Sequence, residues 1–535
     1  MAALYNLANL KLSSKQECSP RILEDIIRSI KLKMPGLQAR DLSNTVLACV
    51  KLEIKDQDLM EAISIEARRK IKDFNSQELA NIAWAYAKLG ITNIDLMDVI
   101  SIETRQKVKD FKAQNLANTA WAYAKLGIKH SDLMEVISGN ACRKIKDFNP
   151  QNLANTAWAY AKLGITNIDL MEVISGDACR KIKDFNPQNL ANIASAYAKL
   201  GITNIDLMEV ISIEARRKIK DFNPQNLTNT AWAYAKLGIK HLDLMEAISD
   251  ESYHKIGDFD SQGLANIAWA YAKLEIKHRH LMKAVSYEVC RKIADFKAQN
   301  LANTAWAYAV LGIKDKDLME AILGEACCKI RDFNLQELAN MAWTVAVLDY
   351  QDMRFLNLLQ QVLSERFSIE AIDLKLRHQF IQCNDWLRLS GIECPLLKEE
   401  SMDFMPEKST TESSLERQVE DVLSTLLGCD VNFILISEAE LRDIHHYADF
   451  LVYSNASKSV CVIEVDGPYH YSENRHPLGS TILRDRLLKL AHYNYISIPY
   501  YEWNDLRTFE DQVIYLQRRL SSFFESGAAS SSGSL

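Results

Sequence analysis

Three carboxylates near the carboxyl end of the chain have the types and spacing of a divalent metal site. Glu464 and Asp466 are two residues apart at the end of a predicted strand, so their side chains point to the same face. Asp449 lies on a neighbouring predicted strand. Carboxylate oxygens are ligands that Mg²⁺ prefers, and bound Mg²⁺ can orient a water and polarise a phosphodiester. His470 follows closely and is a candidate general acid or base.

The same residues also have a structural interpretation. Asp466-Gly467-Pro468 is a tight-turn sequence, and Asp449 can be an ordinary residue at a strand edge. The sequence therefore leaves open whether the protein is an enzyme. Mg²⁺ is the expected cofactor if the carboxylates are catalytic, and no other cofactor is predicted.

The elements that must position these residues form a predicted small α/β domain over residues 415–522. The expected strands are Val431–Ile436, Ala448–Tyr453, Val460–Val465 and Tyr495–Pro499, and the expected helices are Leu415–Leu427, Ser480–His492 and Thr508–Leu520. The polar residues 398–414 are expected to be a linker that precedes the domain. The Ser- and Gly-rich residues 523–535 are expected to be a disordered tail.

A repeat of 37 residues organises the chain before this domain. The leucine that opens the segment Leu-Ala-Asn-Thr-Ala-Trp-Ala-Tyr-Ala-Lys-Leu-Gly recurs at Leu42, Leu79, Leu116, Leu153, Leu190, Leu227, Leu264, Leu301 and Leu338. Such a period indicates stacked supersecondary units that bury their apolar faces against one another. We therefore predict nine repeats over residues 39–349, an N-terminal cap at 1–38 and a helical C-terminal cap at 350–397.

Each repeat is predicted to hold two helices, here called A and B. Asn149 is a preferred N-cap residue, Pro150 suits the first helical position, and Gly164 suits the left-handed position after the last turn. A second apolar pattern with a spacing of four follows in each repeat. The predicted fold is therefore an α-solenoid of 37-residue helical hairpins followed by a small α/β domain.

The A helix is predicted to present a polar stripe to solvent, formed in one repeat by Gln151, Asn152, Asn155, Thr156 and Lys162. The Asn155 column is asparagine in all nine repeats, so it is either a structural ladder or a contact that does not distinguish bases. The Trp158 column, flanked by alanines, is expected in the core.

Two columns of the A helix vary, and they are four residues apart, hence adjacent on the surface. Proteins that read one RNA base per repeat use two or three side chains per helical unit. The alternative to such a code is drift on a solvated face. The candidate pairs are Glu78/Ile82, Asn115/Thr119, Asn152/Thr156, Asn189/Ile193, Asn226/Thr230 and Asn300/Thr304, with Asp41/Thr45, Gly263/Ile267 and Glu337/Met341 in the same columns.

Basic clusters end the B helices, and Arg143, Lys144 and Lys146 are candidate RNA contacts of this kind. Repeated once per unit, such cations can follow a phosphate backbone. They can equally complement the dipole at the carboxyl end of the helix. The formal net charge of −7 gives no overall signal for nucleic acid, so local charge must carry that interpretation.

Composition argues against several other classes. The sequence contains no run of 18 apolar residues and lacks the pattern of a secretory signal at its start, so neither export nor a membrane partner is expected. The 11 cysteines are scattered without a CxxC pair, which predicts neither disulfides nor zinc.

The C-terminal sequence contains the segments Ile463-Glu-Val-Asp-Gly-Pro-Tyr-His470, Leu478-Gly-Ser-Thr, Arg484-Asp-Arg-Leu-Leu488 and Tyr495-Ile-Ser-Ile-Pro-Tyr-Tyr-Glu-Trp503. With these segments it resembles the RAP domain, an RNA-binding module. The repeats resemble octotricopeptide and heptatricopeptide repeats. Solenoids of this kind followed by a RAP domain are typical of FAST-kinase-like organellar RNA factors, which implies a mitochondrial or chloroplast location, or the cytoplasm if the protein is bacterial.

The RAP resemblance also implies a restriction-endonuclease-like fold. Asp449 then matches the first acid of the PD-(D/E)xK pattern and Glu464 the second, whereas Asp466 stands where that pattern has lysine. By the same resemblance, a cation from the following helix can replace that lysine: Arg484, Arg486 or Lys489.

These patterns favour a sequence-selective single-stranded RNA-binding protein that acts in RNA processing, RNA stability or ribosomal RNA maturation. One alternative is a Mg²⁺-dependent endoribonuclease acting through the RAP domain. Another is a protein-binding scaffold, since α-solenoids also bind peptides. The expected partners are single-stranded RNA and, by family, the ribosome or RNA-processing proteins.

Overall fold

The computed structural model describes residues 20–367, 373–396, 405, 413–428, 432–455 and 458–529. The chain divides into two compact units, one ending at His254 and the other beginning at Lys255. The first contains helix α1 (Pro20–Lys33) and the repeats that follow it, and the second contains the later repeats and the C-terminal domain. None of the helices that the structure describes combines the length and apolarity needed to cross a bilayer.

The repeats consist of alternating A and B helices, as the sequence predicts. The A helices are α2 (Ala39–Lys51), α4 (Ser76–Leu89), α6 (Ala113–Leu126), α8 (Pro150–Leu163), α10 (Pro187–Leu200), α12 (Pro224–Leu237), α14 (Ser261–Lys273), α16 (Ala298–Val310) and α18 (Leu335–Leu348). The B helices are α3 (Gln57–Arg69), α5 (Ile94–Lys107), α7 (Ser131–Lys144), α9 (Ile168–Lys181), α11 (Ile205–Arg217), α13 (Leu242–His254), α15 (Arg279–Lys292), α17 (Lys316–Lys329) and α19 (Met353–Arg366).

The helix ends lie where the capping residues predict them. At the start of α8 the Asn149 side chain accepts a hydrogen bond from the Asn152 backbone N–H at 2.8 Å. At its end Gly164 has a φ of +63°, a conformation that glycine adopts without strain. The local sequence therefore sets the length of each A helix, and the 37-residue period follows from it.

The A helices form a closely packed layer within each unit. Each packs against the A helices of the neighbouring repeats, and the B helices lie behind them. Leu153, Ala157 and Tyr160 of α8 are buried in this layer. The Tyr160 hydroxyl donates to the Met134 carbonyl at the start of α7. An A helix inside the array thus has neighbours on three sides, which leaves only a narrow part of its surface open.

The C-terminal domain is a four-stranded mixed sheet with helices. Strands β1 (Phe433–Leu441), β2 (His446–Ser454) and β3 (Ser459–Asp466) are antiparallel neighbours, and β4 (Asn494–Pro499) pairs parallel to β3. Its helices are α21 (Ser414–Leu427), α22 (Gly479–Leu490), α23 (Tyr500–Trp503) and α24 (Phe509–Ala529). An apolar core that includes Val422, Ile463 and Leu516 joins the sheet to α21 and α24. The predicted α-solenoid followed by a small α/β domain is confirmed.

The last helix of the C-terminal domain extends into the segment that was expected to be a disordered tail. Helix α24 continues to Ala529, so the expected tail is helical at its beginning, while residues 530–535 lie outside the described residues. The Phe523 side chain packs in the core of the domain, which explains why the helix extends past the expected boundary. Most of the expected linker, residues 398–414, also lies outside the described residues.

The C-terminal domain packs directly on the last repeats of its own unit. Helix α22 contacts α16, α18 and α20 (Leu374–Leu389). A β-carbon at Gly479 would clash with the Ala309 carbonyl oxygen, so glycine permits this close approach. The Arg486 guanidinium donates to the carbonyls of Ala346 and Val347.

Candidate functional site

The paired columns that were expected to read bases are buried. Asn152 is 5% exposed and Thr156 is 0% exposed, and the equivalent Asn115, Thr119, Asn226 and Thr230 are buried as well. The expectation that these pairs face solvent is wrong, because the A helices of adjacent repeats within each unit pack closely against one another. Ile82, Ile193, Asn189, Asn300 and Thr304 are buried in the same way, and Glu78 is half-buried.

Helix capping explains the variation in the first of the two columns. The Asn152 side chain accepts a hydrogen bond from the Asn149 backbone N–H at 3.3 Å, which completes a capping box. Glu78 accepts from Asn75 at 2.9 Å, and Asn115 accepts from Lys112 at 3.0 Å. Asn and Glu both supply a side-chain oxygen at this position. In these three repeats the residue type varies while the capping function is kept, whereas Gly263 in the same column has no side chain that could cap.

A different set of side chains forms the open stripe of the A helix. Gln151 and Lys162 are exposed, and Asn155 and Trp158 are half-buried. Their spacing of four, three and four residues places them in one row along the helix. The prediction that Gln151, Asn155 and Lys162 face solvent is confirmed. Trp158, which was expected in the core, is partly accessible between them.

The stripe recurs with little change along the repeats of the first unit and into the second. In the order Gln, Asn, Trp, Lys it is Gln77, Asn81, Trp84 and Lys88 in one repeat and Gln114, Asn118, Trp121 and Lys125 in the next. The exposed glutamines continue at Gln188, Gln225, Gln262, Gln299 and Gln336, and the exposed lysines at Lys199, Lys236 and Lys273. The stripe thus offers nearly the same chemistry at every step.

The tryptophans of neighbouring repeats are close enough to form a row of rings. The Trp84 and Trp121 ring centroids are 6.5 Å apart, and those of Trp121 and Trp158 are 6.3 Å apart. Ser195 interrupts the row in the next repeat, where its hydroxyl donates to the Asn229 carbonyl. Aromatic faces in such a row can stack with nucleobases of any sequence.

The basic clusters at the ends of the B helices have two roles. Lys144 Nζ donates to the carbonyls of Lys109 and Phe111 in the preceding repeat, each at 2.7 Å. Arg143 and Lys146 are exposed beside it. The same lysine contact to carbonyls 33 and 35 residues earlier recurs at Lys70, Lys107, Lys181, Lys218, Lys292 and Lys329. Lys144 is therefore a structural link between repeats, and only its neighbours are open to a ligand.

The stripe closes where the C-terminal domain packs. The lysine column becomes Val310 in α16 and Val347 in α18. Val347 lies next to Gly479 of α22, and Gly312, just after α16, lies next to Ile482. Valine suits a position that a neighbouring helix covers, because a buried lysine would need a compensating partner.

The three predicted metal ligands lie close together, but a cation of the protein already pairs with two of them. Arg484 Nη1 lies 2.7 Å from Asp466 Oδ1 and 3.3 Å from Glu464 Oε2. Arg484 Nη2 lies 3.2 Å from Asp466 Oδ2. The Arg484 side chain is 9% exposed, and Glu464 and Asp466 are buried. The guanidinium thus fills the place between the two carboxylates.

Other donors occupy the remaining carboxylate oxygens. His446 Nε2 lies 2.8 Å from Glu464 Oε1, and the hydroxyls of Tyr471 and Ser497 donate to Asp466 Oδ2. Burial opposes ionisation of Asp466, but the hydrogen bonds and charge of Arg484 hold its pKa below the ordinary value. Asp449 Oδ2 accepts from the Val465 backbone N–H at 2.7 Å.

Asp449 differs from Asp466 in its ionisation. Burial and the neighbouring Glu464 carboxylate raise the pKa of Asp449 well above its ordinary value. His470 lies with Nδ1 3.2 Å from Asp466 Oδ1, and burial lowers its pKa despite that carboxylate. The structure brings all four predicted catalytic residues into one region.

This arrangement does not fit a Mg²⁺ site. Mg²⁺ requires carboxylate oxygens with free lone pairs in near-octahedral geometry. Here Arg484, His446, Tyr471 and Ser497 hold the oxygens of Glu464 and Asp466. The Arg484 guanidinium, which also pairs with Asp485 at 2.8 Å, takes the place of a metal cation between the two carboxylates. Of the three cations suggested by resemblance, Arg484 joins the carboxylates, while Arg486 contacts the repeats.

Comparison with protein families gives two matches. A model described as RNA-editing substrate-binding complex 6 protein matches residues 26–279 and 251–460, and the RAP domain model matches residues 463–519. The predicted resemblance at the carboxyl end is thereby confirmed.

Two curated proteins are similar to parts of the chain. FAST kinase domain-containing protein 3, mitochondrial, from Homo sapiens is 30% identical over 125 residues, which cover 22% of this chain and 19% of that protein. RAP domain-containing protein, chloroplastic, from Oryza sativa subsp. japonica is 40% identical over 58 residues, which cover 11% and 9%. The chain thus spans less than a fifth of each relative. One relative is mitochondrial and the other chloroplastic, which confirms the predicted organellar location.

Among solved structures, the chain is similar to a homology model of the full-length AP-3 complex in an intermediate open conformation. The likeness covers 98% of this chain and 93% of that chain, with 12% identity and a TM-score of 0.31. A TM-score this low supports no argument about fold or function.

Proposed function

Because the chain belongs to the RNA-editing substrate-binding complex 6 protein family and carries a RAP domain, we propose that it binds single-stranded RNA along the open stripe of its A helices. Binding serves organellar RNA processing, in which RNA-processing proteins are the expected partners. The 37-residue repeats are of the octotricopeptide kind, as their period and Trp-Ala-Tyr-Ala-Lys-Leu-Gly segment suggest.

The observation that carries the proposal is the chemistry of the stripe. Most repeats offer a partly accessible tryptophan face, an exposed lysine ammonium and exposed amides, as in Trp121, Lys125 and Gln114. Proteins that bind single strands combine stacking on aromatic rings with cations along the backbone. Amide side chains can donate to and accept from base edges. A single strand presents all three complementary groups at every nucleotide.

The uniformity of the stripe has a consequence for base selectivity. A column that keeps the same residue in successive repeats cannot prefer one base over another. The paired columns that do vary are buried at Thr156 and Thr119 and cap helices at Asn152. Selectivity therefore comes from breaks in the stripe, such as Ser195, and from the C-terminal domain.

The C-terminal domain binds or positions RNA in this proposal and does not cut it. Arg484 pairs with Glu464 and Asp466, so these two carboxylates are not free to ligate a metal ion for a cleavage step. Its contacts with α16, α18 and α20 hold the domain at a fixed place on the last repeats of its unit.

The test compares two sets of lysines that differ only in position. Lys88, Lys125 and Lys162 lie on the stripe, whereas Lys72, Lys109 and Lys146 are exposed in the turns that follow the B helices. Changing either set to glutamine removes the same charge. Affinity for a labelled oligouridine is measured by fluorescence anisotropy over a series of salt concentrations.

The stripe variant should bind about tenfold more weakly, and its salt dependence should flatten by about 0.7 per lost phosphate contact. The variant of the turn lysines should bind like the wild type. Equal losses in both variants would assign binding to overall charge and contradict the proposal. A loss confined to Lys72, Lys109 and Lys146 would move the interface to the B-helix side.

A further inference from the structure

Aromatic and cationic side chains gather at the carboxyl ends of β3 and β4. Tyr469 follows β3 by a short turn and is 83% exposed. Tyr501 follows β4, and the Arg475 guanidinium lies 4.9 Å from the centroid of its ring. The carboxyl ends of adjacent parallel strands are a common place for ligands in α/β domains.

The ring of Tyr501 at this edge is held in place by neighbouring rings. The ring of Tyr501 lies 5.3 Å from that of Tyr471 and 5.5 Å from that of Tyr500, both in edge-to-face contact. The Tyr471 hydroxyl donates to Asp466, which Arg484 fixes in turn. The ion-pair cluster below therefore supports an ordered aromatic platform.

A cation of the repeats, Arg279, lies beside the same surface. Arg279, the first residue of α15, lies with Nη2 2.8 Å from His476 Nε2. Burial and the nearby Lys277 and Arg279 lower the pKa of His476, so a neutral imidazole accepts this hydrogen bond. Arg475 has a φ of +57° at the turn between Tyr471 and Pro477, and its side chain is exposed.

We propose that Tyr469, Tyr501, Arg475 and Arg279 form a nucleotide-binding patch that holds one unstacked RNA base and its phosphate. The inference rests on the proposed function. The exposed Tyr469 ring stacks on the base, and the two guanidinium groups bind the phosphate.

The position of the patch explains why a nucleotide is the expected ligand. Within this unit, Lys273 of α14 is the last lysine of the stripe, and α22 packs on Val347 of α18. A strand lying on α14 therefore meets no further stripe lysine on α16 or α18, and α22 blocks its path at Val347. The Arg279 to His476 contact joins the repeat that contains α14 to the patch. The strand therefore leaves the stripe beside the patch, with one base free to stack.

The experiment uses the full chain and a series of oligouridines, each with 2-aminopurine at one position. Stacking quenches this base, so each position reports its own contact. The test variant is Tyr469→Ala. The control is Tyr287→Ala, since Tyr287 is 69% exposed on α15 and belongs to neither the stripe nor the patch. Arg475→Gln tests the phosphate contact.

Tyr469→Ala should restore emission at one position near one end of the oligonucleotide and weaken binding about tenfold. Arg475→Gln should weaken binding and flatten its salt dependence by about 0.7. Tyr287→Ala should change neither. Tight binding by the wild type with no position that responds to Tyr469→Ala would overturn the patch and leave the stripe intact. Failure of the wild type to bind any oligonucleotide would overturn both proposals.

Discussion

The repeats and the C-terminal domain use charged side chains in opposite ways. On the A helices, Lys125 and Lys162 form part of an open row. In the C-terminal domain, Arg484 is almost fully buried between Glu464 and Asp466. The carboxylates have the spacing of a catalytic site, and the lysines look like ordinary surface residues. In the structure, however, the lysines are accessible to a ligand, whereas the carboxylates are buried and bound by Arg484.

The spacing of charged side chains therefore indicates a ligand site only when no other group of the protein already binds those side chains. Glu464 and Asp466 face the same side of β3, as predicted, but Arg484 reaches them from α22. Lys144 and Lys162 each recur once per repeat, yet one bridges backbone carbonyls and the other faces solvent. Four substitutions test this contrast.

The largest effect is expected for Arg484→Met in the C-terminal domain. This change leaves two buried carboxylates without their cation, and breaking a buried pair costs about 3–5 kcal/mol. Amide hydrogen exchange in β3 should accelerate strongly. Arg507→Met, at an exposed position, is the control and should leave exchange unchanged. Unaltered protection of β3 in the Arg484 variant would contradict the structural role of the cluster.

A smaller loss is expected for Lys144→Met in the repeats. The carbonyls of Lys109 and Phe111 lose a charged donor, which should lower the free energy of unfolding by about 2 kcal/mol. The matched variant Lys146→Met removes an exposed charge two residues away and should change stability by less than about 0.5 kcal/mol. Urea denaturation measures both. Similar values for the two variants would show that the lysine link is dispensable.

The third change, Asp449→Asn, should stabilise the protein. The raised pKa of Asp449 means that the folded state binds its proton more tightly than the unfolded state. Stability of the wild type therefore falls as pH rises from the ordinary value of Asp towards the folded value. Asparagine retains an oxygen that can accept from Val465, so it should add about 1 kcal/mol near neutral pH and nothing in acid.

Urea denaturation of wild type and Asp449→Asn at several pH values measures this difference. The two stability curves should converge below about pH 4, where Asp449 is protonated in both states. A variant that is less stable than the wild type at neutral pH would show that the ionised carboxylate is needed. That result would reopen the metal interpretation of the cluster.

The smallest effect is expected for Asn152→Glu on the A helix. Glutamate already occupies this column at Glu78, where it forms the same capping box. Stability should change by less than about 0.5 kcal/mol. RNA selected from a random pool should show the same sequence preferences as for the wild type. A changed preference at one position would restore the base-reading role of the column and refute the capping explanation.

Local features of this molecule could be predicted from sequence, and contacts between distant elements could not. Asn149 and Gly164 predict the two ends of a helix because capping depends on a few neighbouring residues. Whether Thr156 faces solvent depends on helices 37 residues away on either side. The Arg484 contact with Glu464 likewise spans separate elements. The residue pattern within one helix does not show which other elements pack on that helix.

Two features that the sequence analysis missed are nevertheless visible as patterns in the sequence. Lysine recurs at the Lys144 position in successive repeats, and an acid stands four residues before it at Glu66, Glu103 and Glu214. Such regularity is typical of a structural link, since Lys70, Lys107 and Lys218 pair with these acids. The change from lysine to Val310 and Val347 also marks covered positions. Neither trace identifies its partner without the structure.

The change to Val310 and Val347 restricts how an array of this kind can lengthen during evolution. Duplication of an earlier repeat adds another copy of the stripe and leaves the docking surface untouched. Duplication of the last repeats would instead expose these valines on an open surface, or would move the C-terminal domain away from the helices on which it packs. Selection would then favour gains and losses of repeats upstream of α16, while the two repeats beneath the domain stay together with it as one inherited block.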